Sequence, residues 1–188
     1  GVSTLLATLK PEGQLGPIEP FLMLPELKDP NIWAGGEFPF LDKDRLTIRM
    51  SSIAQRFIYY NNTAVAEGEL TTYRDVLKPQ YKGKITMYDP SLAGSGNTFL
   101  THLARDLWSR EEASEFLRQL IVQQQAVIHG DRRLQVESVA RGKYSIGLAA
   151  PSDVIVEFLQ AGAPISVVIP KEGVYTSVGI GALGVPVR

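Results

Sequence analysis

Apolar residues recur along the second half of the chain at helical spacing. Leu100, Leu103, Ala104, Leu107 and Trp108 fall at i, i+3, i+4, i+7 and i+8, one stripe of an amphipathic helix. Ser109 and Glu112 then form a capping box, opening a second helix with the stripe Ala113, Phe116, Leu117, Leu120 and Ile121. A third helix is expected from near Asp131 to Arg141, with Gly142 supplying the left-handed residue that ends it. A fourth, capped by Ser152 or Asp153, runs through Ala161 and closes at Gly162.

Between these stripes lie short apolar runs rich in β-branched and aromatic residues. Leu46 to Tyr60 reads as extended, Lys84 to Tyr88 and Tyr144 to Ala150 as strands, and Ile165 to Ile169 as a buried strand. Thr71-Thr72 caps a short helix that runs through Leu77 and stops before Pro79. Residues 1 to 45 lack periodicity, with five prolines between Pro11 and Pro30 and the Gly35-Gly36 pair. Such a stretch is expected to need partners elsewhere.

Strands alternating with helices predict an α/β fold with a mostly parallel sheet covered on both faces. Ligands of such sheets sit beyond the carboxyl ends of the strands, where loops enter helix N-termini. Three segments meet that description: Ser91 to Thr98, Gly130 to Arg133, and Pro151 to Asp153.

The segment Ser91-Leu-Ala-Gly-Ser-Gly-Asn-Thr98 carries the most chemistry. Its glycines let backbone N–H groups converge, and a helix N-terminus adds about half a positive charge, enough to attract a carboxylate, phosphate or sulfate. The alternative is a plain strand-to-helix turn in which Ser or Asn only caps. No Gly-Lys-Ser/Thr follows, so this is not a nucleotide-phosphate loop. Ser152-Asp153 is either an N-cap or a pair that bonds a polar part of a solute. Arg132 and Arg133 oppose the helix dipole at their position, which an adjacent anion or simple solvent exposure would explain.

Composition removes several function classes. Nineteen Lys and Arg against twenty Asp and Glu give a net charge of -1, without the basic face that nucleic acid requires. There is no cysteine, hence no disulfide or thiolate metal site. No apolar run is long enough to span a membrane. The opening GVSTLLATLKPEG lacks the basic segment and apolar core of a secretory leader. His102 and His129 are not tied by spacing to a nucleophile, and Gly94-Ser95-Gly96 is not a nucleophile elbow, so no catalytic residue is expected. Tyr59 and Tyr60 are adjacent phenols suited to ferric ion. On a strand they face opposite ways, so strand packing is the expectation and no metal is assigned.

From Tyr73 onward the chain resembles a known family. The run Asp75-Val-Leu-Lys-Pro-Gln-Tyr-Lys-Gly-Lys-Ile-Thr-Met-Tyr-Asp-Pro-Ser91, followed by GSGNTFL, VARGKYSIGLAAPSDV, GAPISVVIPKEG and SVGIGAL, is similar in content and order to the family 1 extracellular solute-binding proteins, grouped with ferric-iron, thiamine and phosphate-ester binders. LGPIEPFLMLPEL to WAGG is similar through less distinctive motifs.

The resemblance implies a type II periplasmic-binding fold: two α/β lobes joined by crossing strands, with a solute held between them. It implies one nearly complete three-layer lobe at 63–170 and crossing strands at 46–62. Residues 1–45 and 175–188 would be part of the other lobe, with the return strand. The chain would then be a fragment of a two-lobe protein. The implied function is capture of a small anionic solute for an ABC permease, in the periplasm or outside the cell, with a lipid anchor upstream left open. No cofactor, catalysis or nucleic-acid partner is implied. The binding residues would be Ser95, Gly96, Asn97 and Thr98, then Ser152 and Asp153, with Arg133 supplying charge and Ser3 and Thr4 contributed by the first lobe. Ferric-binding members carry paired tyrosines after the strand matching Ile146 to Ala150, where this chain has Pro151-Ser152. A ferric-binding protein, a hydrolase or transferase on a doubly wound sheet, and the effector domain of a regulator remain as alternative readings.

Overall fold

The computed structural model describes residues 5–33, 35–49, 52–178 and 182–186. In chain order the strands are β1 (Leu15–Gly16), β2 (Thr47–Arg49), β3 (Ser52–Gln55), β4 (Ile58–Asn61), β5 (Ile85–Tyr88), β6 (Val127–His129), β7 (Ile146–Leu148), β8 (Ile165–Val167), β9 (Tyr175–Val178) and β10 (Ala182–Pro186). The α-helices are α1 (Ser95–His102), α2 (Arg110–Arg118), α3 (Arg132–Ala140) and α4 (Ser152–Gln160). Two compact units result, one of Gly1–Ile53 with Thr176–Arg188 and the other of Ala54–Tyr175.

In the first unit β1, β10 and β2 form an antiparallel sheet in that order. The proline-rich stretch becomes three 3₁₀ turns, Glu19–Phe21, Pro25–Lys28 and Pro30–Ile32, each with proline in its first two positions. Asp42 organises the approach to β2. One carboxylate oxygen accepts hydrogen bonds from the Leu46 and Thr47 amides and the Thr47 hydroxyl, and the other lies 2.7 Å from Lys10 Nζ. Leu15, Ile18 and Ile48 are buried, whereas Phe21, Met23, Leu24 and Ile32 are exposed.

The second unit is built on a five-stranded sheet in the order β6-β5-β7-β4-β8. Strands β6, β5 and β7 are parallel, but β4 is antiparallel to both of its neighbours. Four of the five strands therefore run one way, as expected, and β4 alone runs against them. All four residues of β4 are buried, as befits a central strand. Ile58 and Tyr60 face one core with Ile85, Met87, Ile146 and Leu148, under Phe99 and Leu103 from α1 and its extension, and Phe116 and Leu120 from α2 and its extension. Tyr59 faces the other, with Val136 and Val139 of α3 and Val154 and Ile155 of α4. Three layers follow from that alternation.

The first two helical stripes are realised with a difference. α1 stops at His102, and Leu103–Leu107 forms a π turn before Trp108, so the stripe is not one regular helix. α2 opens on the expected box, Glu112 N–H to Ser109 Oγ at 3.1 Å and Ser109 N–H to Glu112 Oε2 at 2.9 Å, and also ends in a π turn, Gln119–Gln123. The segment Tyr73–Leu77 is a 3₁₀ helix. β6 had no sequence signal: its residues are exposed or half-buried and do not alternate.

Tyr59 and Gly147 are paired across β4 and β7. A Cβ on Gly147 would overlap Tyr59 Cζ, so the phenol lies in the space a side chain would fill. Its hydroxyl is buried without a hydrogen-bond partner, and burial holds the phenol's pKa well above its ordinary value. Gly147→Ala is expected to cost about 3 kcal/mol by overpacking. Tyr59→Phe, which removes only the unbonded hydroxyl, should leave stability unchanged or raise it by about 1 kcal/mol. Urea unfolding of both variants is the check, and a clear loss in Tyr59→Phe would contradict the unbonded hydroxyl.

Asp75 sets a second expectation. Burial pushes its carboxyl upward, but the Thr71 and Thr72 amides, 2.7 and 2.9 Å away, and the Lys78 ammonium at 3.0 Å outweigh burial and hold it well below the ordinary value of 3.8. Its contribution is then fully present above that value and lost as pH falls below it toward the depressed folded value. Acid unfolding monitored by circular dichroism should show a shallower dependence in Asp75→Asn than in the parent over that window.

Candidate functional site

The carboxyl ends of β5, β6 and β7 share one edge of the sheet, and each leads into a helix. Because β4 runs the other way, with Ile58 opposite Leu148, its leading residues Gln55-Arg56-Phe57 come to that same edge. Four segments therefore converge within the second unit.

After β5, Asp89 Oδ1 accepts from the Ser91 amide at 2.8 Å and the Ser91 hydroxyl at 2.7 Å, and these bonds lower its pKa. Gly94 takes a φ of 147° at the N-cap of α1. Gly96 is buried, and a Cβ there would lie 2.7 Å from the Asp89 carbonyl oxygen and 2.8 Å from that of Tyr88. The missing side chain lets α1 run hard against the end of its strand. Ser95 Oγ donates to the Ala149 carbonyl at 2.6 Å, and Thr98 Oγ1 to the Gly94 carbonyl at 2.9 Å. Asn97 is exposed.

After β7 the chain takes a left-handed step. Ala149 is fully buried with φ 60°, and its amide donates to the Phe57 carbonyl at 2.7 Å. Pro151, rather than Ser152 or Asp153, occupies the N-cap of α4 and offers no side-chain acceptor. The Ser152 hydroxyl turns away to Gln55 Oε1 at 3.0 Å and accepts from the Arg56 amide at 3.3 Å. After β6, by contrast, Asp131 caps α3 fully, accepting from the amides of Arg133 and Leu134.

The helix ends thus divide into two kinds. α2 and α3 are closed by Ser109 and Asp131; α1 and α4 have no side-chain cap. Among the described residues, the amides of Ser95, Gly96 and Asn97 and those of Ser152, Asp153 and Val154 have no acceptor. The two open ends follow adjacent parallel strands and are joined by the Ser95–Ala149 bond. Six unsatisfied donors and two helix dipoles form a region suited to an anion.

The charges nearby are unequally committed. Arg133 pairs with Glu157 at 2.6 Å and lies over the Phe158 ring, on the surface between α3 and α4. Arg132 and Asp153 are 4.0 Å apart, both exposed. Arg56 is half-buried and has no carboxylate partner among the described residues. Sequence reasoning passed over it. The signal was there: a single arginine at the mouth of the apolar run Phe57-Ile-Tyr-Tyr60, with no acidic neighbour. Ser3 and Thr4 lie outside the described residues.

Among the described residues, neither histidine hydrogen-bonds to a serine. His102 Nδ1 is 2.8 Å from Asp106 Oδ2, with its ring among Phe57, Tyr73 and Tyr175, and His129 stands edge-on to Tyr144. Tyr59 and Tyr60 belong to cores on opposite faces of the sheet.

Known proteins resemble the chain in both sequence and fold. An uncharacterized protein of Haemophilus influenzae is 32% identical over 101 residues, 54% of this chain and 28% of that protein. The periplasmic binding protein AfuA of Actinobacillus pleuropneumoniae, solved with fructose-6-phosphate, superposes with a TM-score of 0.63 at 21% identity, covering 95% of this chain and 53% of its own. The Trichodesmium protein IdiA (FutA), solved with iron and citrate, gives 0.68 at 22%, covering 94% and 55%. The chain therefore spans about half the length of these solved structures, whose likeness shows a type II periplasmic-binding α/β fold. The family model for bacterial extracellular solute-binding proteins matches residues 25–180, most of the chain. On that match, this chain belongs to the bacterial extracellular solute-binding protein family.

Proposed function

We propose that the chain is the solute-capturing part of an extracytoplasmic binding protein, periplasmic or extracellular, that delivers a small anionic solute to an ABC permease. The observation that carries this reading is the pair of uncapped helix ends, α1 and α4, at one sheet edge beside Arg56, which has no carboxylate partner among the described residues. A protein whose task is capture and release needs donors aimed at the solute and no reacting group. The neighbours' named ligands, a sugar phosphate and iron with citrate, include anions.

In this reading the amides of Ser95, Gly96 and Asn97 and of Ser152 and Asp153 hold the anionic group, and the Asn97 side chain and Thr98 border it. Gly96 keeps α1 against its strand. Arg56 supplies the charge, since Arg133 is already engaged by Glu157. The placement of Tyr59 and Tyr60 on opposite faces favours an anion over a phenolate-bound ferric ion.

Calorimetric titration with inorganic phosphate, fructose-6-phosphate, sulfate and citrate, beside ferric ion, tests the proposal. At least one anion is expected to bind, and Arg56→Gln to weaken it by about tenfold or more, the effect of losing one charge-assisted hydrogen bond. Absence of anion binding, or tight ferric binding abolished by Tyr60→Phe, would overturn it.

A further inference from the structure

Ser95 is the first residue of α1, one position past the Gly94 N-cap, and its side chain does not cap its own helix. Its hydroxyl donates across 54 positions of sequence to the Ala149 carbonyl, at 2.6 Å. Three residues other than glycine take a positive φ among the described residues: Arg45, Gln125 and Ala149. The first two are exposed, while Ala149 is fully buried between β7 and α4. A left-handed conformation is unfavourable for a residue with a Cβ and persists only where its surroundings impose it. Two bonds do so at Ala149: its amide is held by the Phe57 carbonyl at 2.7 Å, and its carbonyl by Ser95.

The same carbonyl is the link between the two uncapped helices. α1 is seated on β5 through Gly96, where a side chain would meet the Tyr88 and Asp89 carbonyls, and α4 begins three residues after the left-handed step. The hydroxyl of Ser95 ties these two loops together and fixes the spacing of their free amides.

We propose that Ser95 is a positioning residue: its side chain clasps Ala149 in the left-handed conformation and thereby sets the two helix N-termini at the separation the anion requires, acting on the solute only through that geometry. The inference rests on the anion-binding reading above for its consequence, but the clasp itself is testable without any ligand.

The test is a double-mutant cycle of Ser95→Ala and Ala149→Gly, read by thermal midpoint and by titration with inorganic phosphate and citrate. Glycine adopts positive φ freely, so residue 149 then needs no clasp. Ser95→Ala is expected to lower the midpoint and to weaken anion binding severalfold in the parent. Both losses should be clearly smaller in the Ala149→Gly background, and Ser95→Thr should restore them in the parent by returning the hydroxyl. A direct contact with the solute would instead give equal losses of affinity in both backgrounds and an unmoved midpoint, which overturns the proposal. So would Ser95→Ala behaving as the parent. If the parent binds neither anion while the midpoint cycle shows coupling, the clasp stands and the anion reading fails; additive midpoints sink the clasp whatever binds.

Discussion

The phenol of Tyr59 fills the space beside Gly147 where a side chain would stand, and the arrangement of the Ala54–Tyr175 unit depends on that contact. A strand that sits antiparallel between two others has to be held in one register, because a shift by one residue would send every side chain to the opposite face. Tyr59 is too large for any other position along β7: Ile146 and Leu148 present side chains to the opposite core, and Gly147 alone offers bare backbone on this face. The contact therefore fixes β4 against β7. With β4 fixed, Ile58 and Tyr60 fall to one core and Tyr59 to the other, and the helices of each layer have their floor.

The register also sets the contacts at one edge of the sheet. With Ile58 opposite Leu148, Phe57 stands where its carbonyl can hold the Ala149 amide, and Gln55 and Arg56 meet Ser152 at the start of α4. A choice made in the core is thus felt one residue beyond the strand ends. Of the four helices, α2 and α3 carry their own side-chain caps; α1 and α4, joined through the Ser95–Ala149 bond, are left open. Leaving a helix end unsatisfied costs stability, so the division argues for donors kept available rather than for neglect.

Local rules made much of this legible in advance. The Ser109–Glu112 box depends on residues three apart, and the left-handed Gly142 closes α3 as its position predicts. The family motifs carried the fold class. What escaped was set by distant parts of the chain. The direction of β4 depends on how the chain enters the sheet, which spacing does not encode. β6 is short and exposed, with no alternation to read. Ser152 looked like a cap because serine before a helix usually is one; its hydroxyl goes instead to Gln55, 97 positions earlier. That Arg56 has no carboxylate partner among the described residues is a property of the folded chain, which spacing along the sequence does not show.

Tyr59 has one further consequence. Its phenol is buried with its proton retained, as is that of Tyr73, whose pKa burial and then Glu172 push up to about 12. An unfolded chain gives up both protons near the ordinary tyrosine value of 10.0. In strong base the folded form becomes the more protonated of the two, and its advantage shrinks as pH climbs through that interval. The contact that aligns the sheet therefore gives the fold an alkaline limit, set by the same phenol that makes the register unique.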